Sequence, residues 1–299
     1  MAKLAARLPD NVPGQFYVDS SCIDCATCRI LAPETFAVSR AEDASVVRRQ
    51  PADDAGRLRA LMALVACPTA SIGTVEKLDA APGVRAFPEP IGPGEPVSFC
   101  GFTAESSFGA WSWLLARPEG NVLVDSPRAA GPLLRRLEEL GGVARLFLTH
   151  RDDVADHAKL RARFGCARIL HRDDVSTGTR DVERLLEGRA PVALAADLLA
   201  IPVPGHTRGS AALLFRGRYL FTGDHLWWDS GDGHLHASRA VCWYSWAEQT
   251  ESMERLRALA EDAPIEWVLP GHGEPWHAPS PAALRAELAR VVDRMRARR

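Results

Sequence analysis

No apolar run in the chain approaches the length needed to cross a bilayer, and the opening "MAKLAARLPDNVPG" lacks the continuous apolar stretch of a secretory leader. These absences predict a cytoplasmic protein without membrane attachment. Net charge is also nearly missing: 36 Lys and Arg against 38 Asp and Glu leave -2. No global positive field is therefore available to gather nucleic acid or an anionic lipid surface. Internal repeats and low-complexity segments are absent, and the Gly-rich "GDGH" at 231–234 is followed by neither a Lys nor a helix start, so it reads as a turn and not a phosphate loop. What remains is ordinary for a globular chain: 46% hydrophobic and 25% charged residues over 299 positions, room for two unequal domains.

The Pro/Gly-dense segment 81–96, "APGVRAFPEPIGPGEP", reads as a linker between a small unit at 1–80 and a larger one at 97–299. In the larger part, β-type runs ("NVLVDS", "ARLFLT", "ARILH", "LAIPVP", "AALLFRGRYLFTG", "IEWVLP") alternate with helical patterns ("GPLLRRLEELGG", "VADHAKLRARFG", "WAEQTESMERLRALAEDA", "PAALRAELARVVDRMRARR"). This alternation predicts an α/β domain with helices covering sheet faces.

Seven cysteines in a large, unexported chain point to metal or redox chemistry and not to a disulfide framework. "CIDCATCRILAP" at 22–33 sets three of them at C-x2-C-x2-C, then places Ala32 before Pro33 where the bacterial ferredoxin pattern has a fourth cysteine. In two-cluster ferredoxins that cysteine serves the other cluster, so its loss fits a single-cluster unit. Cys67, followed by Pro68, brings the thiolates to four. With "CIDCATCRILAPETF" and "CPTASI", residues 14–80 resemble the single-cluster bacterial-type ferredoxin domain. The resemblance implies a small α+β domain with a [4Fe-4S] cluster on Cys22, Cys25, Cys28 and Cys67. A structural zinc on the same thiolates is the alternative, although zinc sites usually pair two separate C-x2-C units.

Four stretches of the larger part follow β-type runs and carry His and Asp onto loops at strand ends: "LTHRDDVADH" (148–157), "PVPGHTRGS" (202–210), "FTGDHLWW" (221–228) and "VLPGHGEPW" (268–276). Imidazole and carboxylate suit zinc, iron or manganese, and an open position on such an ion activates water. In this order the stretches resemble the metallo-β-lactamase fold, with its H-x-H-x-D-H loop, later His, bridging Asp and final His. The resemblance implies an αβ/βα sandwich holding one or two divalent ions. His150, Asp156, His157, His206, Asp224 and His272 then fall on the ligand positions, Asp224 lies between the metals, and Asp156 and Asp224 orient water or accept its proton.

One element is missing. The second His of the first motif is absent, and five residues, "RDDVA", separate His150 from Asp156. Asp152 keeps the spacing of the lost ligand; Asp153 lies four residues before His157 and would share its face in a helix beginning there. Either carboxylate hardens the site towards iron or manganese. His225 also follows Asp224 directly, in a position similar to the extra histidine of flavodiiron proteins. Trp227, Trp228, Trp243, Tyr244 and Trp246 suit either core packing or a pocket wall for an apolar or planar substrate.

The reading that follows is an iron–sulfur protein with a metal-dependent hydrolase site acting on an ester, thioester or related bond of a small molecule. The alternatives are an oxidoreductase in which the cluster feeds electrons to iron at the second site, with a redox partner protein, and a non-catalytic electron-transfer or sensor protein. Nucleic-acid processing lacks both the full H-x-H-x-D-H and a basic stripe.

Overall fold

The computed structural model of the chain describes residues 2–297, so the last two residues of the C-terminal helical pattern lie outside the described residues. Two compact units divide it. The first runs to Asn121 and adds Pro127–Val143 and Ala155–Phe164; the second comprises Val122–Ser126, Ala144–Val154 and the chain from Gly165 onward.

In the first unit, β1 (Phe16–Val18) pairs antiparallel with β4 (Ile72–Thr74) and so closes the cysteine-bearing region on itself. Between them lie α1 (Thr27–Leu31), the β2 (Phe36–Val38) and β3 (Ser45–Val47) hairpin, and α2 (Asp54–Ala66). Asp24 and Ala26 hold φ at 56° and 64°, left-handed values that delay the start of α1 to Thr27 and keep the Cys22–Cys25 stretch a loop. The Asp53 carboxylate accepts the Gly56 amide and caps α2, which ends at Ala66 with Cys67 as its C-cap.

The stretch 81–96 is not an unstructured linker. Ala81–Arg85 forms α3, where a Cβ on Gly83 would sit 2.7 Å from the Leu61 carbonyl carbon of α2, and β5 (Glu89–Pro90) pairs with β6 (Val97–Phe99), which pairs with β7 (Trp113–Leu115). Proline is tolerated in a first helical turn and on an edge strand, so its density here did not exclude regular structure. The unit also holds α4 (Gly131–Glu139), with Leu133 and Leu137 buried four apart on one face, and α5 (His157–Phe164). The expected helix from Val154 begins only at His157, because Ala155 has a positive φ of 24°.

The second unit contains four parallel strands, β8 (Val122–Val124), β9 (Arg145–Phe147), β10 (Ala167–His171) and β11 (Arg184–Leu186). Their near-continuous apolar character is that of parallel strands covered on both faces. A six-stranded sheet follows in the order β12 (Val192–Ala195), β13 (Leu198–Pro202), β14 (Ala211–Phe215), β15 (Tyr219–Gly223), β18 (Trp267–Pro270) and β19 (Trp276–His277), antiparallel except between β15 and β18. A hairpin of β16 (Trp227–Asp229) and β17 (His234–His236) stands beside it in sequence.

Ser245 accepts the Glu248 amide and starts α6 (Trp246–Asp262), whose buried Trp246, Thr250, Met253, Leu256 and Ala260 fall at helical spacing. They join Leu284, Leu288, Val291, Val292 and Met295 of α7 (Pro281–Ala297) in one core. No helix among the described residues is long and apolar enough to cross a membrane.

Candidate metal centre

In the second unit every loop that leaves β8, β9, β10, β13, β15 or β18 at its C-terminal end supplies a polar group to one place. His150 follows β9. Its Nδ1 lies 3.0 Å from Thr149 Oγ1, whose hydroxyl is 2.9 and 3.0 Å from the two Asp125 carboxylate oxygens at the end of β8. The hydroxyl donates to the carboxylate and accepts the imidazole N–H, which leaves the Nε2 lone pair facing the centre. His206, after β13, has Nδ1 2.5 Å from the Val241 carbonyl, an obligate acceptor, so its Nε2 is also a free lone pair.

Asp224, after β15, places Oδ2 3.7 Å from both of those Nε2 atoms, and Asp152 Oδ2 lies 3.9 Å from the one and 3.6 Å from the other. A tetrahedral ion with bonds of about 2.1 Å separates its ligands by about 3.4 Å, close to this spacing. A second grouping of ligand atoms, within 4.8 Å of one another, is formed by His150, Asp153 and Asp224. Asp153 Oδ2 and Asp224 Oδ1 both border Gly271, where a Cβ would come within 2.6 and 3.0 Å of them. His272, after β18, holds Nδ1 2.8 Å from Asp224 Oδ1.

Electrostatics point the same way. His150 Nε2, His206 Nε2 and both Asp153 oxygens are buried without a hydrogen-bond partner among the described residues, an arrangement that costs free energy unless a cation fills it. Burial, then the Asp224 charge, pushes Asp153 well above the carboxylate range; burial also lifts Asp125 to about 8, against the pull of its Thr149 hydrogen bonds. Burial acts on Asp224 in that direction too, but His272, with its hydrogen bond, and then His150 and His206 outweigh it and hold the carboxyl low. Burial drops His150 to about 4, so this imidazole is neutral and suited to ligation; His225, dropped by burial to about 3, joins none of the clustered ligand atoms among the described residues. The donor set therefore fits one or two divalent ions.

Asp174 was not legible as part of this centre. Buried after β10, it accepts from the Arg151 amide at 3.0 Å, the Thr207 hydroxyl at 2.5 Å and the Gly209 amide at 2.7 Å, tying the His150 loop to the His206 loop. Ala211 N–H donates to the Thr149 carbonyl at 2.8 Å and completes the stitch. Asp174→Ala is expected to weaken metal binding by about 10–100-fold, the usual cost of losing a group that orients ligands, measured by chelator competition.

Asp125 gives a second expected result. Its raised carboxyl is protonated in the folded, metal-free protein, so its contribution to stability is complete below about pH 4 and is lost as pH climbs towards 8. Between about pH 6.5 and 8 the loss is ~2 kcal/mol, read as a fall in denaturant midpoint that metal loading abolishes.

Asp156 and His157 belong to the first unit and join none of the clustered ligand atoms among the described residues. Asp156 instead accepts the Ala129 amide at 2.9 Å and pairs with Lys159 at 2.8 Å, and His157 opens α5. The insertion "RDDVA" accounts for this: it gives the carboxylates of Asp152 and Asp153 to the centre from a loop, not from a helical face shared with His157. Of the aromatic candidates, Trp246 is buried and Trp228 stacks on Trp276 at 4.4 Å, whereas Trp243 and Tyr244 are exposed directly after the Val241 carbonyl that holds His206.

In the first unit the fold gathers the four cysteines of the motifs. Ser45 N–H points to Cys22 Sγ at 3.4 Å and Ser71 N–H to Cys67 Sγ at 3.3 Å. Burial raises the Cys25 thiol, with Cys67 and Cys22 adding to it, and pushes the Cys28 thiol up to about 12. Four sulfurs within electrostatic reach, two already receiving backbone N–H groups, fit an iron–sulfur cluster.

Residues 18–74 match the family described as the 4Fe-4S single cluster domain of Ferredoxin I. Hydroxyacylglutathione hydrolase of Anaeromyxobacter dehalogenans is 38% identical over 125 residues, 40% of this chain and 46% of that protein. The Cronobacter sakazakii hydroxyacylglutathione hydrolase is 32% identical over 157 residues, 51% of this chain and 59% of that protein. The chain thus spans about half the length of the curated relatives it matches. The solved structure of DIM-1 metallo-beta-lactamase superposes with a TM-score of 0.51 at 14% identity, covering 68% of this chain and 95% of that one. The chain therefore joins a single-cluster ferredoxin domain to a metallo-β-lactamase fold. The first implies a [4Fe-4S] cluster, and the second divalent metal ions.

Proposed function

We propose that the chain is a metal-dependent hydrolase of small thioesters or esters, with His150, Asp152, His206 and Asp224 holding one ion and Asp153, Asp224 and His272 providing for a second. The observation that carries this reading is the pair of buried imidazole lone pairs, each fixed by a hydrogen bond on its far nitrogen and both 3.7 Å from one Asp224 oxygen. A divalent ion bound there acts as a Lewis acid, polarising the scissile carbonyl and lowering the pKa of water.

The chain's own groups supply the rest. Thr149 with Asp125, and the Val241 carbonyl, keep the two imidazoles oriented, and Asp174 keeps their loops in register. Asp152, half exposed and held below the ordinary carboxylate range by its His206 contact, is ionised at neutral pH and completes the donor set beside the two imidazoles. The name of the relatives, hydroxyacylglutathione hydrolase, denotes cleavage of a thioester, and supports that substrate class here.

Thiol release from a series of S-acyl thioesters by protein loaded with zinc, iron or manganese is the test. Turnover that disappears on chelation supports the reading; fully metal-loaded protein inert towards both thioesters and esters overturns it. The two loop carboxylates, Asp152 and Asp153, also favour a second reading, a hard iron-binding redox centre fed by the cluster. Five or six irons per chain with no hydrolysis would select that reading.

A further inference from the structure

All four cysteines of the cluster site lie between residues 22 and 67, yet groups from much later in the first unit close the loop that carries them. Gly109, at a φ of +84°, faces Cys25 so closely that a Cβ would sit 2.7 Å from Cys25 Cβ, 2.9 Å from its Sγ and 3.3 Å from Pro68 Cγ. Buried Thr27, between Cys25 and Cys28 in sequence, donates its hydroxyl to the Gly109 carbonyl at 3.3 Å and accepts the Trp111 indole N–H at 3.2 Å. Trp111 is itself buried and stacked on Phe99, with ring centroids 3.8 Å apart. On the Cys67 side, Thr103 Oγ1 donates to the Ala66 carbonyl at 2.6 Å, and Arg128 Nη2 donates to the Val65 carbonyl at 3.2 Å.

We propose that residues 103–111, with Gly109 and Trp111 at their centre, form a water-excluding wall of the cluster site, so that the potential and lifetime of the cluster are set by residues outside the cysteine-bearing region. Reduction adds negative charge to an already anionic cluster, and solvent near its sulfurs stabilises that charge; a dry wall therefore lowers the potential. The same wall keeps dissolved oxidants from the Cys25 edge. Gly109 is a glycine here because no side chain fits between the wall and the Cys25 sulfur. Trp111 and Thr27 are positioning residues: the indole N–H fixes the hydroxyl, and the hydroxyl fixes the Gly109 carbonyl. The inference rests on the cluster assignment and is independent of the hydrolase reading.

The test uses the full chain purified without oxygen, with iron counted per chain, the midpoint potential taken from a mediated titration followed by electron paramagnetic resonance, and the visible absorbance timed after exposure to air. Gly109→Ala is expected to raise the potential and to bleach several-fold faster than the parent. Trp111→Phe, which keeps the ring and removes the N–H, should move both readouts in the same direction by less. Val38→Ser, on an exposed position of β2, should leave both unchanged. Should Gly109→Ala fail to load iron, Trp111→Phe decides. Full iron with unchanged potential and unchanged lifetime in the wall variants overturns the proposal. A parent protein carrying zinc and no iron overturns it by removing the cluster assignment, while leaving the hydrolase reading untouched.

Discussion

Asp224→Ala is expected to empty the second unit of its metal and to lower thioester hydrolysis by about a thousandfold, the several kcal/mol of transition-state stabilisation that a bound ion supplies. The reason is positional. One carboxylate oxygen lies 3.7 Å from the Nε2 atoms of both His150 and His206, and the two oxygens lie 2.8 and 2.9 Å from His272 Nδ1, so this carboxylate borders all three imidazoles. Removing it takes a carboxylate donor away from three imidazoles at once. Metal per chain by elemental analysis and kcat/KM by thiol release measure the two effects together. Hydrolysis that persists at the parental rate without metal would sink the assignment of the centre.

The second large effect belongs to the cluster. Cys67→Ser is expected to cost about four irons per chain and the visible absorbance that accompanies them. Every proposed ligand of the hydrolytic centre lies on loops of the second unit, so kcat/KM should stay within about tenfold of the parent, a cost under ~1.4 kcal/mol. A collapse of activity in step with iron would instead favour the reading in which the cluster feeds electrons to the second site. Paired iron counts and rates on one preparation separate the outcomes, because loss of fold would also lower the denaturation midpoint.

Several of these features stand in the sequence because they are local. The C-x2-C-x2-C beat with Cys67 before a proline, the four His/Asp stretches at strand ends, and the amphipathic spacing of α6 each depend on neighbours within a few positions. The linker reading of 81–96 failed for a local reason as well: Pro and Gly density reports what a segment disfavours, and an edge strand or a first helical turn accepts both.

Sequence alone therefore determined the fold class and the two kinds of metal-binding group, thiolate in one part and imidazole with carboxylate in the other, since ligand type and hydrophobic period are written residue by residue. Only the tertiary structure decided which groups meet. Asp152 and Asp153 face the centre because Ala155 turns the chain and delays α5 to His157, a backbone choice that no spacing rule anticipates. Asp125, Asp174 and the Val241 carbonyl orient ligands from 24 to 35 residues away along the chain, and Gly109 meets Cys25 across a still longer interval. Such pairings come from strand order and loop closure, which belong to the whole fold and to no single stretch of it.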